Sequence, residues 1–395
     1  MLESLSPTKQ TTATSSVYRY YAGFPNAFVD SLLDHLGVES NAVVLDPWNG
    51  AGTTTEVCSA RGISSIGIDL NPFMRVVAQV RCSPRAQIRR DVVALQNALG
   101  RSRSDSMVSS PQTVAANLLR RLEDAGSIER DSALAIFAFA SATRAIYRSV
   151  LTRNPTWFSM RRSNAVLSTE QEIKGHVILE LNRLQDWAKA TLEPEMPRVE
   201  PYLITGDAAN AWVGKRVDHI ISSPPYLTRI DYALKTLPEL LFIDELFGLD
   251  VDNLRKSMLG SVLTGREQAS KFRPTAPTAQ AVISAIEAHE SKASTTYYLK
   301  FFLTYFEKLG STLDRTLRLL TKCGTVNLVT QGSYYKEIYI DLPRIVSEMM
   351  IERGFVEYER TGFRTANHMA AINTRTFASR QLPPEEIVSG FRREK

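Results

Sequence analysis

The sequence predicts an α/β protein with a mostly parallel sheet, into which largely helical insertions are set. Three observations carry that expectation. The stretch "AVVLDPWNGAGTTTEVCSARG" runs an apolar strand into a glycine-rich turn and then into a helical segment ending at Gly62. "SSIGIDLNPFMRVVAQV" repeats the order, with an acidic residue closing the strand and a proline opening the helix. Far downstream, "RVEPYLITGDAAN" and "VDHIISSPPY" resume the pattern. Strand, turn, helix and strand in succession form the unit of a parallel sheet.

Taken in order, residues 1–16 are polar and Ser/Thr-rich, lack the apolar core of a secretory signal, and read as a disordered lead-in. Residues 17–81 hold the first strand–turn–helix units. From 82 to 198, apolar residues fall at threes and fours in "VVALQNALGRS", "TVAANLLRRLED", "SALAIFAFASATRAIYRSVL" and "EIKGHVILELNRLQDWAKATL". This stretch reads as a helical insertion, with "GRSRSDSMVSSPQ" as a Ser-rich break in it. Residues 199–245 return to strands. A second insertion is expected over 246–296, with "FRPTAPTAQ" as its loop. Residues 297–395 then supply an amphipathic helix, "YYLKFFLTYFEKLGSTLDRTLRLL", a strand in "CGTVNLVTQGS", a helix in "LPRIVSEMMIERG", the segment "FVEYERTGFR" and a C-terminal tail.

A hydrophobic content of 44% with 23% charged residues fits an ordinary soluble globular protein, and no apolar run is long enough to span a bilayer. Cys58, Cys82 and Cys323 are scattered without metal-ligand spacing, which argues for a reducing, cytoplasmic setting and against a metal site. The net charge of +5 is compatible with a polyanionic partner. The arginines of "RCSPRAQIRRD", "LLRRLED" and "MRRSN" read as solvated helix faces ahead of phosphate contacts.

Two motifs carry chemistry. In Asp46-Pro47-Trp48-Asn49-Gly50-Ala51-Gly52-Thr53-Thr54, two glycines at a strand end allow a tight turn and close approach of a ligand to the backbone. Thr55 stands where the dinucleotide fingerprint has its third glycine, and the lysine of a P-loop is missing. A strand and a helix later, Asp69 ends "SIGID", where a carboxylate can accept from ribose hydroxyls or simply face a helix N-terminus. Gly50, Gly52 and Asp69 together point to a nucleoside-containing cofactor. The second motif is Ser222-Ser223-Pro224-Pro225-Tyr226. Proline ends strand pairing and fixes its own φ, and the second proline keeps the residue before it out of the helical region. The result is a stiff corner with carbonyls that no ladder uses and an aromatic ring just beyond.

"DPWNGAGTT" followed by "SPPY" resembles the S-adenosylmethionine-dependent amino-methyltransferases that modify exocyclic amines of DNA bases. Trp48 stands where that family has phenylalanine. The resemblance covers roughly residues 18–80, 202–246 and 297–359 and leaves both insertions aside. It implies a Rossmann-like class I methyltransferase fold with a mostly parallel seven-stranded sheet, and S-adenosyl-L-methionine as cofactor. It further implies that Asp46, Pro47, Trp48, Gly50, Gly52, Thr53 and Asp69 hold the cofactor, that Phe24 and Pro25 line its methionine end, and that Asp207 in "ITGDAAN" contacts the adenine amine. Catalysis falls to Ser223, Pro224, Pro225 and Tyr226. An exocyclic amine is a poor nucleophile because its lone pair is delocalised into the ring. The Ser223 hydroxyl and Pro224 carbonyl, aimed at its two N–H bonds, favour a pyramidal nitrogen. Tyr226 would stack on a base extruded from the duplex. Neither a metal nor a covalent intermediate is required.

In this family Ser-Pro-Pro-Tyr accompanies N4 of cytosine more often than N6 of adenine. N4-cytosine is therefore favoured, with N6-adenine as the alternative and RNA or a protein amide beyond it. A non-catalytic binding protein would show a broken motif, and neither motif is broken. Arg229 is assigned to the substrate beside Tyr226, and Asp231 to structure. The insertion over 82–198 is the first candidate for reading DNA and the stretch 266–273 the second, with scaffolding or dimerisation as the other reading of both. Double-stranded DNA is the implied partner. A homodimer and a cognate restriction endonuclease, in a restriction–modification or related defence setting, are partners that the resemblance allows. Trp157 and Trp187 read as core, and His176, His219 and His289 show no ligand spacing.

Overall fold

The computed structural model describes residues 17–18, 23–103, 105–151, 166–190, 198–227, 231–261, 272–364 and 385–394. The lead-in, Trp157, Arg229 and Arg266 therefore lie outside the described residues.

Seven strands form the main sheet: β1 Val43–Asp46, β2 Ser64–Asp69, β3 Tyr202–Thr205, β4 Val217–Ser222, β5 Leu320–Gln331, β6 Phe355–Arg364 and β7 Glu385–Arg393. Their spatial order is β6-β7-β5-β4-β1-β2-β3. From β3 to β5 every pairing is parallel, while β7 runs antiparallel to both β5 and β6. The fold is the Rossmann-like, mostly parallel seven-stranded sheet that the motifs implied. Strand order reverses between β1 and β4. In an open α/β sheet the crevice outside the carboxyl ends of the strands at such a switch point is where ligands bind.

Period-2 alternation sorts the strands' side chains between two helical layers. Val44, Ile221 and Val329 face a cluster with Phe28, Leu32 and Leu33 of α1 (Asn26–His35) and Val57 and Cys58 of α2 (Thr53–Ala60). Their neighbours Leu45, Ile220 and Leu328 face the other way. There they meet α11 (Pro277–Glu287), α12 (Leu299–Leu317) and α13 (Leu342–Ile351), through Ile283, Ile286, Phe306, Leu313 and Met350. Burial on both faces explains why these strands read as near-continuous apolar runs.

The stretch 82–198 is helical where described. α3 (Pro72–Cys82) leads into α4 (Arg85–Arg101), α5 (Pro111–Asp124), α6 (Ala133–Leu151) and α7 (Glu170–Ala190). These helices share a core of their own with Tyr18, Phe73 and Phe242. Trp187 is buried there, its ring under the Arg85 guanidinium at 3.7 Å. The Ser-rich break forms a minimal ribbon, Val108–Ser109 against Ser168–Thr169.

Two features depart from the sequence reading. The stretch 246–296 contributes α11 to the sheet's own core, and α11 begins within "FRPTAPTAQ", at Pro277. The supposed C-terminal tail supplies β7, an interior strand next to the edge, between β5 and β6. After the Ser-Pro-Pro-Tyr corner come α8 (Tyr232–Lys235), α9 (Leu237–Phe247) and α10 (Val251–Ser257). No described helix is long and apolar enough to cross a membrane.

Candidate active site

The glycine loop is folded by contacts that only small residues permit. Gly52 has φ +80°, and a Cβ on it would stand 2.5 Å from Cβ of Ala78 on α3. Gly67 in β2 leaves room for the Asn49 side chain, which a Cβ would meet at 2.5 Å. Asn49 is buried, its backbone N–H donates to the Ile68 carbonyl at 3.0 Å, and its side-chain Oδ1 accepts from Thr55 Oγ1 at 3.2 Å. The loop thus lies against β2 and α3 and turns directly into the N-terminus of α2.

Beneath it sits a charged cluster that sequence reading did not single out. Glu56, buried in the first turn of α2, accepts from Arg81 Nε at 2.8 Å, Arg85 Nη2 at 3.1 Å and Asn26 Nδ2 at 3.0 Å. Arg81 also donates to the Ala51 carbonyl at 2.9 Å and Thr53 Oγ1 at 3.3 Å. The two guanidiniums hold the Glu56 carboxyl below its usual range in spite of its burial. One carboxylate therefore joins the glycine loop to α1, α3 and α4, and through Arg85 to Trp187 of α7.

The predicted acidic residues fall in a row along the carboxyl ends of adjacent strands, with Asp46 ending β1, Asp69 ending β2 and Asp207 two residues past β3. Asp69 accepts the Gly50 and Asn71 amides, each at 2.8 Å, and so clasps the glycine loop to the turn before α3. Asp207 accepts the Ala209 amide at 2.9 Å and shapes its own turn. Burial pushes the Asp69 carboxyl up to about 6, against the two amides that favour its ionised form. Asp46 is also pushed up to about 6 by burial, opposed by the Ser222 and Thr54 hydroxyls and the Trp48 amide. Pro47 is buried, Trp48 is half-buried against the sheet core, and Phe24 packs on Phe28 with ring centroids 5.1 Å apart.

The Ser-Pro-Pro-Tyr corner leaves β4 beside this row. Ser222, fully buried, donates to Asp46 Oδ1 at 2.5 Å and pins the end of β4 to the end of β1 across the switch point. Tyr305 of α12 donates to the Pro225 carbonyl at 2.7 Å, and Ser333 Oγ to the Leu227 carbonyl at 2.9 Å. Tyr226 donates to Glu386 Oε1, at the start of β7, at 3.2 Å. Three tethers thus fix Pro225, Tyr226 and Leu227, while among the described residues no donor engages the Pro224 carbonyl. Ser222, Tyr305, Ser333 and Glu386 were not expected from sequence. Only Ser222 carried a local signal, the doubled serine. Asp231 caps α8 through the Leu234 amide and pairs with Arg255 at 3.0 Å, the structural role expected of it.

Asn71 Nδ2 donates to Thr236 Oγ1 at 2.8 Å, tying the turn after β2 to the segment beyond the corner. The crevice is accordingly walled by backbone amides at a helix N-terminus, by carboxylates and by a rigid aromatic corner. Those groups fit a nucleoside-containing cofactor: close backbone approach at Gly50 to Thr53, hydroxyl acceptors at Asp69 and Asp207, and the corner alongside.

A sequence model of a family described as DNA methylase matches residues 3–79, the part that carries the glycine loop. Type II methyltransferase M.BsoBI of Geobacillus stearothermophilus is 38% identical over 58 residues. This chain resembles the N4/N6-type DNA amino-methyltransferases. The match to M.BsoBI spans 15% of this chain and 11% of that relative. Type II methyltransferase M.AvaI of Nostoc sp. is 22% identical over 381 residues, or 86% of this chain and 78% of the relative. The likeness to this Type II methyltransferase thus reaches well past the glycine loop. Among solved structures, the rRNA methyltransferase aviRa of Streptomyces viridochromogenes aligns over 98% of this chain and 91% of its own at 8% identity, with a TM-score of 0.31, too low to carry an argument.

Proposed function

We propose that this protein transfers a methyl group from S-adenosylmethionine to an exocyclic amine of a DNA base, N4 of cytosine ahead of N6 of adenine. The observation that carries the reading is the Ser222–Asp46 bond. It joins the strand that delivers the glycine loop to the strand that delivers the corner, so a donor held by one and an amine held by the other share one crevice. The relatives' names as Type II methyltransferases support a DNA substrate and a place in restriction–modification.

When bound, the cofactor supplies an electrophilic methyl group on a positively charged sulfur, so the protein's part is position and electrostatics. Gly50, Gly52 and Thr53 approach its main body, and Trp48, Pro47 and Phe24 bound the methionine end. Asp69 accepts from the ribose and Asp207 from the adenine amine. Ser223 Oγ and the Pro224 carbonyl accept from the two N–H bonds of the target amine, and Tyr226 stacks on the base. The helices of 82–198 remain the first candidate for reading duplex sequence.

The test is transfer of labelled methyl groups to duplex DNA and to RNA. Label removed by deoxyribonuclease supports the reading, and label confined to RNA overturns it. Ser223→Ala should lower the rate about tenfold or more, the order expected for a lost charge-directing hydrogen bond, with DNA affinity nearly unchanged. A wild-type rate would remove Ser223 from the chemistry. Asp69→Ala should weaken cofactor binding, which calorimetry would read directly.

The pH dependence has a definite sign. Asp46 and Asp69 sit near 6 in the fold against a usual 3.8, so the folded chain binds more protons between those values. Their contribution to stability is greatest below about pH 4 and declines as pH rises through about 6. A ribose hydroxyl donates to the ionised carboxylate, so cofactor affinity should fall below about pH 6, by up to about tenfold per unit for each carboxylate engaged. Equal dissociation constants at pH 5 and pH 8 would place these carboxylates outside the binding site.

A further inference from the structure

We propose that Glu386 is the terminal acceptor of the proton that the target amine must lose, reached through the hydroxyls of Ser223 and Tyr226. The inference rests on the proposed assignment of Ser223 to the amine. Its own observations are the 3.2 Å hydrogen bond from Tyr226 to Glu386 and the place of Ser223 three residues before Tyr226 in a corner whose backbone Tyr305 and Ser333 hold.

A corner with serine at position 223 brings no carboxylate of its own to the amine. Asp46, the acid at the end of the neighbouring strand, accepts from Ser222 and from the Trp48 amide. Glu386 fills the gap from β7. Because Tyr226 gives its hydrogen to Glu386, its oxygen is left to accept from Ser223. The Ser223 hydrogen is thereby directed away from the amine, and its lone pairs face the N–H bond. The chain of donors has one direction, from amine to Ser223 to Tyr226 to carboxylate. Burial, followed by the Glu386 charge, keeps the Tyr226 phenol well above its usual range, so it passes a proton along without standing as a phenolate. Glu386 itself is half-buried, with a route to solvent.

The step balances. As the nitrogen lone pair becomes a bond to the methyl carbon, the carbon–sulfur bond breaks with its electron pair going to sulfur. The nitrogen is then positive and still bears both hydrogens. One passes to Ser223 Oγ, the Ser223 hydrogen to Tyr226 Oη, and the Tyr226 hydrogen to Glu386 Oε1. The amine and both hydroxyls end neutral, and the carboxylate ends as a carboxylic acid that solvent deprotonates. The titratable groups around this path are Tyr232 beside Tyr226, and Glu385 next to Glu386 in β7. Beyond them Tyr339 faces Glu385, Asp341, Tyr334 and Arg360.

Glu386→Gln keeps an acceptor for the Tyr226 hydroxyl but cannot take up the proton. Single-turnover methyl transfer should fall roughly 10²-fold, the lower range for a lost proton acceptor. The acid limb of its pH profile should flatten, and the solvent deuterium effect should rise. Glu386→Asp should restore part of the rate. S-adenosylhomocysteine and duplex DNA, titrated calorimetrically, should bind both variants within about twofold of the wild type. A wild-type rate and pH profile in Glu386→Gln would overturn the relay. So would equal losses in both variants accompanied by weakened DNA binding, because that pattern marks an anchor for the Tyr226 ring. Either result leaves amine methylation by the wild type standing, whereas a wild type that methylates no DNA overturns both proposals.

Discussion

Tyr226→Ala is expected to cut methyl transfer by about 10²-fold or more while cofactor affinity stays within about twofold. Stacking of one base on an aromatic side chain contributes about 1–3 kcal/mol, which alone corresponds to roughly 5- to 150-fold. The same substitution removes the hydroxyl that bonds Glu386. The corner's backbone should survive, because Tyr305 holds the Pro225 carbonyl and Ser333 the Leu227 carbonyl independently of the ring. Tyr226→Phe separates the two contributions by keeping the stack and losing the hydroxyl. Rapid-quench transfer with a parallel cofactor titration checks the expectation. Loss of cofactor binding in Tyr226→Ala would mean that the ring supports the donor rather than the base.

Glu56→Ala is expected to destabilise the fold by about 3–5 kcal/mol, the cost of leaving buried charges unpaired. Arg81 and Arg85 are both buried, and Glu56 is the carboxylate that pairs them. Against a total stability of about 5–15 kcal/mol, such a loss is severe. Because Arg81 also holds the Ala51 carbonyl and the Thr53 hydroxyl, cofactor affinity should fall with stability. Replacing the cluster together, as Glu56→Leu with Arg81→Met and Arg85→Met, should recover much of the stability and little of the affinity. A urea midpoint in Glu56→Ala equal to the wild type would show the triad to be dispensable.

Where local pattern and global fold agree, the sequence was readable. The apolar runs ending at Asp46, Asp69 and Ser222 are strands because both faces of the sheet are covered. Asp69 followed from its place at the end of a strand, and Asp46 and Asp207 from the family resemblance. β7 was missed because "EEIVSGFRR" alternates weakly, carries a glycine and lies far from its partners; its place is set by pairing with Thr325 to Gln331 and with β6. The tethers of the corner were missed for a related reason. Tyr305 and Ser333 lie 80 and 106 residues from the carbonyls they hold, and Glu386 lies 160 residues from Tyr226. No spacing rule reaches that far. Arg81 and Arg85, read as part of a solvated helix face, are buried instead, paired with Glu56 beneath the glycine loop.

The most direct test of the central claim, an exocyclic amine methylated at the Ser223 to Tyr226 corner, is the identity of the product. Duplex DNA of mixed sequence would be incubated with the protein and labelled S-adenosylmethionine, digested to nucleosides and resolved by mass and retention. N4-methylcytosine is the predicted product, and N6-methyladenine would keep the mechanism while changing the base. Label on C5 of cytosine, a carbon that the corner's acceptors cannot activate, would contradict the account.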